Sequence, residues 1–364
     1  MRVIAICTDE PQFWNNRVLD KSFAMLFPGT QWVYELAKIT SSHGISLMTG
    51  DQAIARIQTN ELDASDVSVV QGDASTQGTS LIQLGAHAAL LMCFESPMYV
   101  GKFYSDLKVE SKGFEHAILF GGALKEIDSL VHPHTAYFPS FDPSDLVIPT
   151  VWSSRKHLAF VVSNKYWKRV GSTPRALVGR LSVLWRGKNH AKAVPQTQLH
   201  DFRLRFISHF ATRGLDLFGQ GWENLRNLPH RYRKGVQPAA DAAGEMEYAT
   251  KKESLRHYKF VACIENDCFP GYVTEKIIDA LVAGAIPLYL GAPDIEKFIP
   301  EEAFIDLRNF TDLDQLGNYL ENMQEDEALR FITAGQKFLN SPDGQRFTYQ
   351  GVASCVFNLV DSDA

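Results

Sequence analysis

Three side chains in the stretch Tyr272-Val273-Thr274-Glu275-Lys276 could act together on a phosphorylated sugar. The stretch follows a strand-type run, Phe260–Ile264, and a loop carrying Pro270-Gly271, so the pattern predicts a helix opening near Tyr272. On that helix Val273, Ile277, Ala280, Leu281 and Gly284 share one apolar face. Tyr272, Glu275, Lys276 and Asp279 share another. The amides and dipole of a helix start favour an anion, and Lys276 adds a full positive charge. A carboxylate such as Glu275 can bind vicinal sugar hydroxyls. A helix opening at the carboxyl end of a strand stands where open α/β sheets bind ligands. The constellation suits a nucleotide diphosphate, and the same spacing equally describes a helix with a plain solvated face.

A second carboxylate, Glu95, follows the apolar run Ala88–Phe94 and is expected at the carboxyl end of a strand, placed to act as a general base. Other patterns carry less. His132-x-His134 lies in a proline-rich stretch without a carboxylate cluster, and Gly121-Gly122 and Gly219-x-Gly221 are turn glycines. Asp312-x-Asp314 and Asp361-x-Asp363 do not follow strands as a metal–nucleotide motif should. No metal is expected to be required. The five cysteines form no C-x-x-C, and most of them read as small buried hydrophobes in a reducing compartment.

The elements that must position these residues alternate between strand and helix. Val3–Cys7, Ile45–Thr49, Val67–Gln71, Ala88–Phe94 and Ala117–Phe120 read as strands, with helical patterns at Trp32–Ile39, Ile54–Ile57 and Thr79–Leu84. Four prolines between His132 and Thr150 mark a linker. A second set of strands follows at Leu158–Ser163, Leu215–Gly219, Phe260–Ile264, Ile286–Leu290 and Ala303–Leu307, and the chain from Asp312 onward reads as mostly helical. The 364 residues thus divide into an α/β domain over 1–150, a second over 151–340, and a helical tail over 341–364. No uninterrupted apolar run of transmembrane length occurs, and the N-terminal apolar run is too short for a signal peptide.

The net charge of −6 disfavours a generally cationic nucleic-acid binder. Charge is uneven, however: residues 155–234 hold 17 Lys/Arg against three acids. That segment is either a solvated basic face or a surface for a polyanion, such as a nucleotide diphosphate or a charged membrane.

Glu265-Asn266, Tyr272-Val273-Thr274-Glu275-Lys276 and Pro287-Leu288-Tyr289-Leu290-Gly291-Ala292-Pro293 resemble the α-1,3-fucosyltransferases of glycosyltransferase family 10. Phe298-Ile299-Pro300 and Ala303-Phe304-Ile305-Asp306 continue the match. Upstream, Phe160–Asn164, Leu215–Gly219 and Phe94-Glu95-Ser96-Pro97 extend it more weakly. The resemblance implies a GT-B architecture, two Rossmann-like domains with a cleft between them, the first binding the acceptor and the second GDP-fucose. It implies donor contacts from Arg203, Asn266, Tyr272, Glu275 and Lys276, with Arg205 a rival to Arg203, and Glu95 as catalytic base. The implied partners are GDP-fucose and an oligosaccharide or glycoconjugate acceptor. No cofactor is implied, beyond modest stimulation by Mn²⁺ or Mg²⁺. Rival readings are a GT-B transferase for another sugar nucleotide and an inactive glycan-binding protein. The N-terminal anchor and disulfide cysteines of animal members are not evident, nor is the basic amphipathic tail of some bacterial ones. A cytoplasmic location is expected, with the basic segment a candidate for peripheral membrane contact.

Overall fold

The computed structural model describes residues 2–27, 29–164 and 198–361. The chain forms two compact units, residues 1–142 with 345–364, and residues 143–344. Much of the basic segment, 165–197, lies outside the described residues. Among the described residues no helix is long and apolar enough to cross a membrane.

The first unit is built on β1 (Val3–Cys7), β2 (Ser46–Thr49), β3 (Val67–Gly72), β4 (His87–Met92), β5 (His116–Leu119) and β6 (His132–Thr135). All pair in parallel, in the order β2-β1-β3-β4-β5-β6. Strands such as Val-Ile-Ala-Ile-Cys are apolar throughout because a parallel sheet is covered on both faces, and all five residues of β1 are buried. The chain moves from β1 to β2 on one side and to β3 on the other. This reversal opens a crevice at the carboxyl ends of β1 and β3.

Two expectations are corrected in this unit. His132–Thr135, read as the start of a linker, is the sixth strand, with Pro133 opposite Ala117. Proline is tolerated there because an edge strand leaves its outer N–H positions unpaired. The end of the chain is not a separate tail. Tyr349–Asp361 packs against the helix Gln31–Ser42, with Arg2 paired to Asp361 at 2.8 Å and the His43 and Phe357 rings 4.6 Å apart. Its apolar side, Val352, Ala353, Val356, Phe357 and Val360, is buried. The Tyr349 hydroxyl donates to the Ser140 carbonyl at 2.9 Å.

The second unit is built on β7 (Lys156–Val161), β8 (Leu215–Phe218), β9 (Tyr258–Ile264), β10 (Ile286–Leu290) and β11 (Ile305–Asp306). Their order is β11-β10-β9-β7-β8, again all parallel. Its core joins Phe160, Phe206, Phe210, Phe260 and Trp152 from the sheet, the helix His200–Phe210 and the entry to β7. The direction of winding reverses between β7 and β9, so the ligand crevice of this unit falls at the carboxyl ends of those two strands.

Candidate functional site

At the carboxyl end of β9 the chain enters Glu265-Asn266-Asp267, all three buried. Gly271 then turns with φ +75°, a left-handed conformation that glycine adopts without strain. Tyr272 N donates to Phe269 O at 3.0 Å and Val273 N to Gly271 O at 2.9 Å, and Thr274 is extended. The helix therefore opens at Glu275 rather than at Tyr272 and runs to Val282. Tyr272 belongs to the loop, where its hydroxyl accepts from Asn266 Nδ2 at 3.2 Å.

The expected polar helix face is not solvated. Glu265, wholly buried, accepts from the Thr274 amide at 2.9 Å and lies 2.8 and 2.9 Å from the Thr274 hydroxyl. Lys276 Nζ reaches Glu265 Oε2 at 2.9 Å, Thr274 Oγ1 at 2.9 Å and Glu275 Oε1 at 3.4 Å. Burial works against the charge on Glu275, but Lys276 and then Lys251 outweigh it and bring its carboxyl down to about 2. Burial likewise opposes the Lys276 ammonium, which Glu265 and Glu275 nevertheless hold well above the ordinary lysine range. The helix start is thus a preformed Glu265–Lys276–Glu275 cluster. Gly291 is needed beside it, since a Cβ there would come within 2.5 Å of Glu265 Cγ and the Tyr289 hydroxyl.

Arg203 and Arg205, rivals in sequence, are separated by the fold. Arg203 is buried and donates through Nε and Nη2 to the carbonyl of Ile264, the last residue of β9, at 3.2 and 2.6 Å. Arg205 is exposed and lies over the Phe202 ring. The structure therefore brings Arg203, Asn266, Tyr272, Glu275 and Lys276 to one strand end. At the end of β7, Asn164 Nδ2 donates to Gly221 O at 3.0 Å. Gly219, at φ +125°, passes so close that a Cβ would lie 2.5 Å from Val162 O. A polar cavity of about 680 Å³ lined by Gly219–Glu223, Gln237, Asp241 and Glu245 adjoins the end of β8.

Glu95 belongs to the first unit, three residues beyond β4, with an exposed side chain. Its carbonyl accepts from the Tyr104 hydroxyl at 2.9 Å, and Phe94 packs edge-on against Trp32 and Phe138. Sequence reasoning missed a second carboxylate in this unit. Asp73 follows β3 at the strand-reversal crevice, in a left-handed conformation at φ 42°, and its amide donates to Met92 O at 2.7 Å. Burial, then the charges of Glu95 and Glu10, raise its carboxyl to about 6. The available signal was an aspartate directly after an apolar strand, the position that singled out Glu95. Among the described residues no group of three or more His, Cys, Asp or Glu could hold a metal ion.

Residues 187–331, which span this strand end, match the family model "Glycosyltransferase family 10 (fucosyltransferase) C-term". This stretch of the chain is similar to the C-terminal part of glycosyltransferase family 10. It is 34% identical over 103 residues to the α-(1,3)-fucosyltransferase FucT of Helicobacter pylori, a match covering 28% of this chain and 22% of the relative. The matched stretch is thus about a fifth of that relative's length. The whole chain superposes on 91% of an α-1,3-fucosyltransferase crystallised with GDP, at a TM-score of 0.51 and 16% identity. It superposes on 99% of sucrose-phosphate synthase from Thermosynechococcus elongatus, at 0.60 and 10%. The fold class of the chain is therefore that of GT-B glycosyltransferases.

Proposed function

We propose that this protein is an inverting fucosyltransferase. It transfers L-fucose from GDP-β-L-fucose to a hydroxyl of N-acetylglucosamine or glucose in an oligosaccharide and forms an α-1,3 or α-1,4 fucoside. The observation that supports this reading most is the Glu265–Lys276–Glu275 cluster, with Arg203 at the same strand end, inside the segment that matches family 10.

In this reading the acceptor oxygen attacks the anomeric carbon of fucose as the bond from that carbon to the β-phosphate oxygen breaks. GDP leaves with the bonding electrons, and the acceptor proton passes to the Glu95 carboxylate. Lys276 and Arg203 stabilise the charge growing on the diphosphate, an effect that is strong because both cations are held in a water-poor site before the reaction begins. Glu275 accepts from vicinal hydroxyls of the nucleotide sugar, and Tyr272 and Asn266 shape the loop against it.

The test is incubation with GDP-fucose, GDP-mannose and UDP-sugars in the presence of N-acetyllactosamine or lactose, followed by linkage analysis of the product and anomeric assignment by NMR. An α-fucoside made from GDP-fucose alone is the expected product. Turnover of a different nucleotide sugar, or of none, overturns the reading.

A further inference from the structure

The last helix, Tyr349–Asp361, and the sheet of the first unit enclose a cavity of about 580 Å³. That lies within the range of about 300–1,000 Å³ in which small-molecule sites fall. Every lining residue belongs to 1–142 or 345–364, so the first unit builds the cavity alone. Ile118, Val352 and Leu359 give it an apolar wall. Phe94 and Tyr137 add two aromatic rings, and His134, Arg346 and Asn358 add polar groups. Arg346 and Asn358 lie beyond residues 187–331, the stretch that matches the family model.

The lining is fixed before anything binds. The Phe94 ring meets Trp32 edge-on at 6.5 Å and Phe138 at 5.8 Å. Tyr137 meets the buried Phe347 edge-on at 5.2 Å. Arg346 Nη1 donates to the Tyr137 hydroxyl at 2.8 Å, and its guanidinium lies over the same ring, 5.3 Å from the centre. His134 Nε2 is 3.2 Å from His116 Nδ1. A ligand that enters such a cavity is spared the cost of ordering its walls.

The chemistry of the lining selects the occupant. A sugar ring has apolar C–H faces and hydroxyls that both donate and accept. Aromatic rings suit the faces. An arginine donates to the hydroxyls, and an asparagine amide both donates and accepts. An alkyl chain would strip water from these polar groups and return no hydrogen bond. The position of the cavity says which sugar it is. Phe94 immediately precedes Glu95, and consecutive residues stand about 3.8 Å apart. A saccharide whose reacting hydroxyl meets Glu95 therefore has the cavity beside it.

We propose that the cavity is an acceptor subsite for the sugar that neighbours the fucosylated one, with Phe94 and Tyr137 against its ring and Arg346 and Asn358 bonded to its hydroxyls. This rests on the fucosyl-transfer reading given above, and adds that the protein selects a disaccharide over the reacting monosaccharide alone.

The experiment measures kcat/KM with GDP-fucose for three acceptors: N-acetyllactosamine, methyl β-N-acetylglucosaminide and octyl β-N-acetylglucosaminide. It compares wild type with Asn358→Ala and Cys355→Phe. Cys355 lines the cavity from an exposed helix position, and the larger side chain fills the space. Wild type should favour the disaccharide. Both variants should lose about tenfold on the disaccharide and nothing on the methyl glycoside, which also verifies that they fold. No disaccharide preference in wild type, wild-type disaccharide efficiency in either variant, or equal losses on the disaccharide and the methyl glycoside overturns the proposal. A preference for the octyl glycoside that the same variants abolish overturns it too, by placing an apolar aglycone in the cavity. A wild-type protein that fucosylates none of the three overturns the fucosyl-transfer reading itself, and the proposal with it.

Discussion

In the proposed reading Lys276 carries two separable duties, and one substitution exposes both. Lys276→Met keeps the aliphatic stem and deletes the ammonium. The bond to Glu265 at 2.9 Å disappears, and that carboxylate has no exposed surface through which water could replace it. Breaking a buried pair by removing one partner costs about 3–5 kcal/mol. Glu265 keeps its bonds from the Thr274 amide and hydroxyl, which puts the expectation at the lower end, about 3 kcal/mol. GDP affinity should fall as well, by roughly tenfold to a hundredfold, since a charge-assisted bond is worth about 1.5–3 kcal/mol. Lys276 is also the largest influence holding Glu275 ionised. The carboxyl of Glu275 is depressed from 4.5 to about 2, so its ionisation adds stability that is complete above pH 4.5 and lost as pH falls through about 2. In Lys276→Met that acid window should narrow. Urea unfolding at pH 7 and at pH 4, together with GDP titration, reads all three effects. The double variant Glu265→Gln/Lys276→Met separates them: the amide oxygen still accepts from Thr274, so most of the stability returns while GDP binding stays weak. If the double variant recovers GDP affinity, Lys276 acts through the fold and not on the diphosphate. A single variant that loses under about 1 kcal/mol would falsify the buried-pair argument.

Other outcomes follow from the same geometry. Glu95→Gln keeps the shape of the side chain but cannot take the acceptor's proton, so turnover should drop by roughly a hundredfold or more at unchanged GDP affinity; near-normal transfer would move the base elsewhere. Transfer should persist in excess EDTA, with modest stimulation at most from Mn²⁺ or Mg²⁺, and complete loss restored by a single ion would reveal an overlooked metal site. Asp73 is raised from 3.8 to about 6, so the folded state loses stability as pH rises through that range. Asp73→Asn should then be about 3 kcal/mol more stable than wild type at pH 8 and equal to it near pH 3.5, as measured by denaturant unfolding. Gly219→Ala should unfold at clearly lower denaturant, because its Cβ would meet the Val162 backbone carbonyl at φ +125°.

What was legible in the sequence tracks what a one-dimensional pattern can encode. Buried parallel strands are continuous apolar runs, so Val3–Cys7 and Ile286–Leu290 were readable to the residue. β6 was not, because His-Pro-His-Thr has neither an apolar run nor alternation, and edge pairing to β5 alone makes it a strand. The C-terminal helix showed its apolar side but not its partner, since nothing local says that Tyr349–Asp361 returns to Gln31–Ser42.

The residues expected to bind a donor do meet at one strand end, but the helix start and its surroundings differ from the expectation, and the reason is physical. Helical periodicity tells which residues share a side, not whether that side is covered. Four polar residues at that spacing imply solvent unless opposite charges arrive from elsewhere in the chain. Here they do: Glu265 comes from the end of β9 and Lys251 from the helix before it. Each lies more than ten residues from the group it neutralises, beyond the reach of any local window. A helix that looks half-solvated in sequence can therefore be largely covered, its charges met by partners that no local window shows.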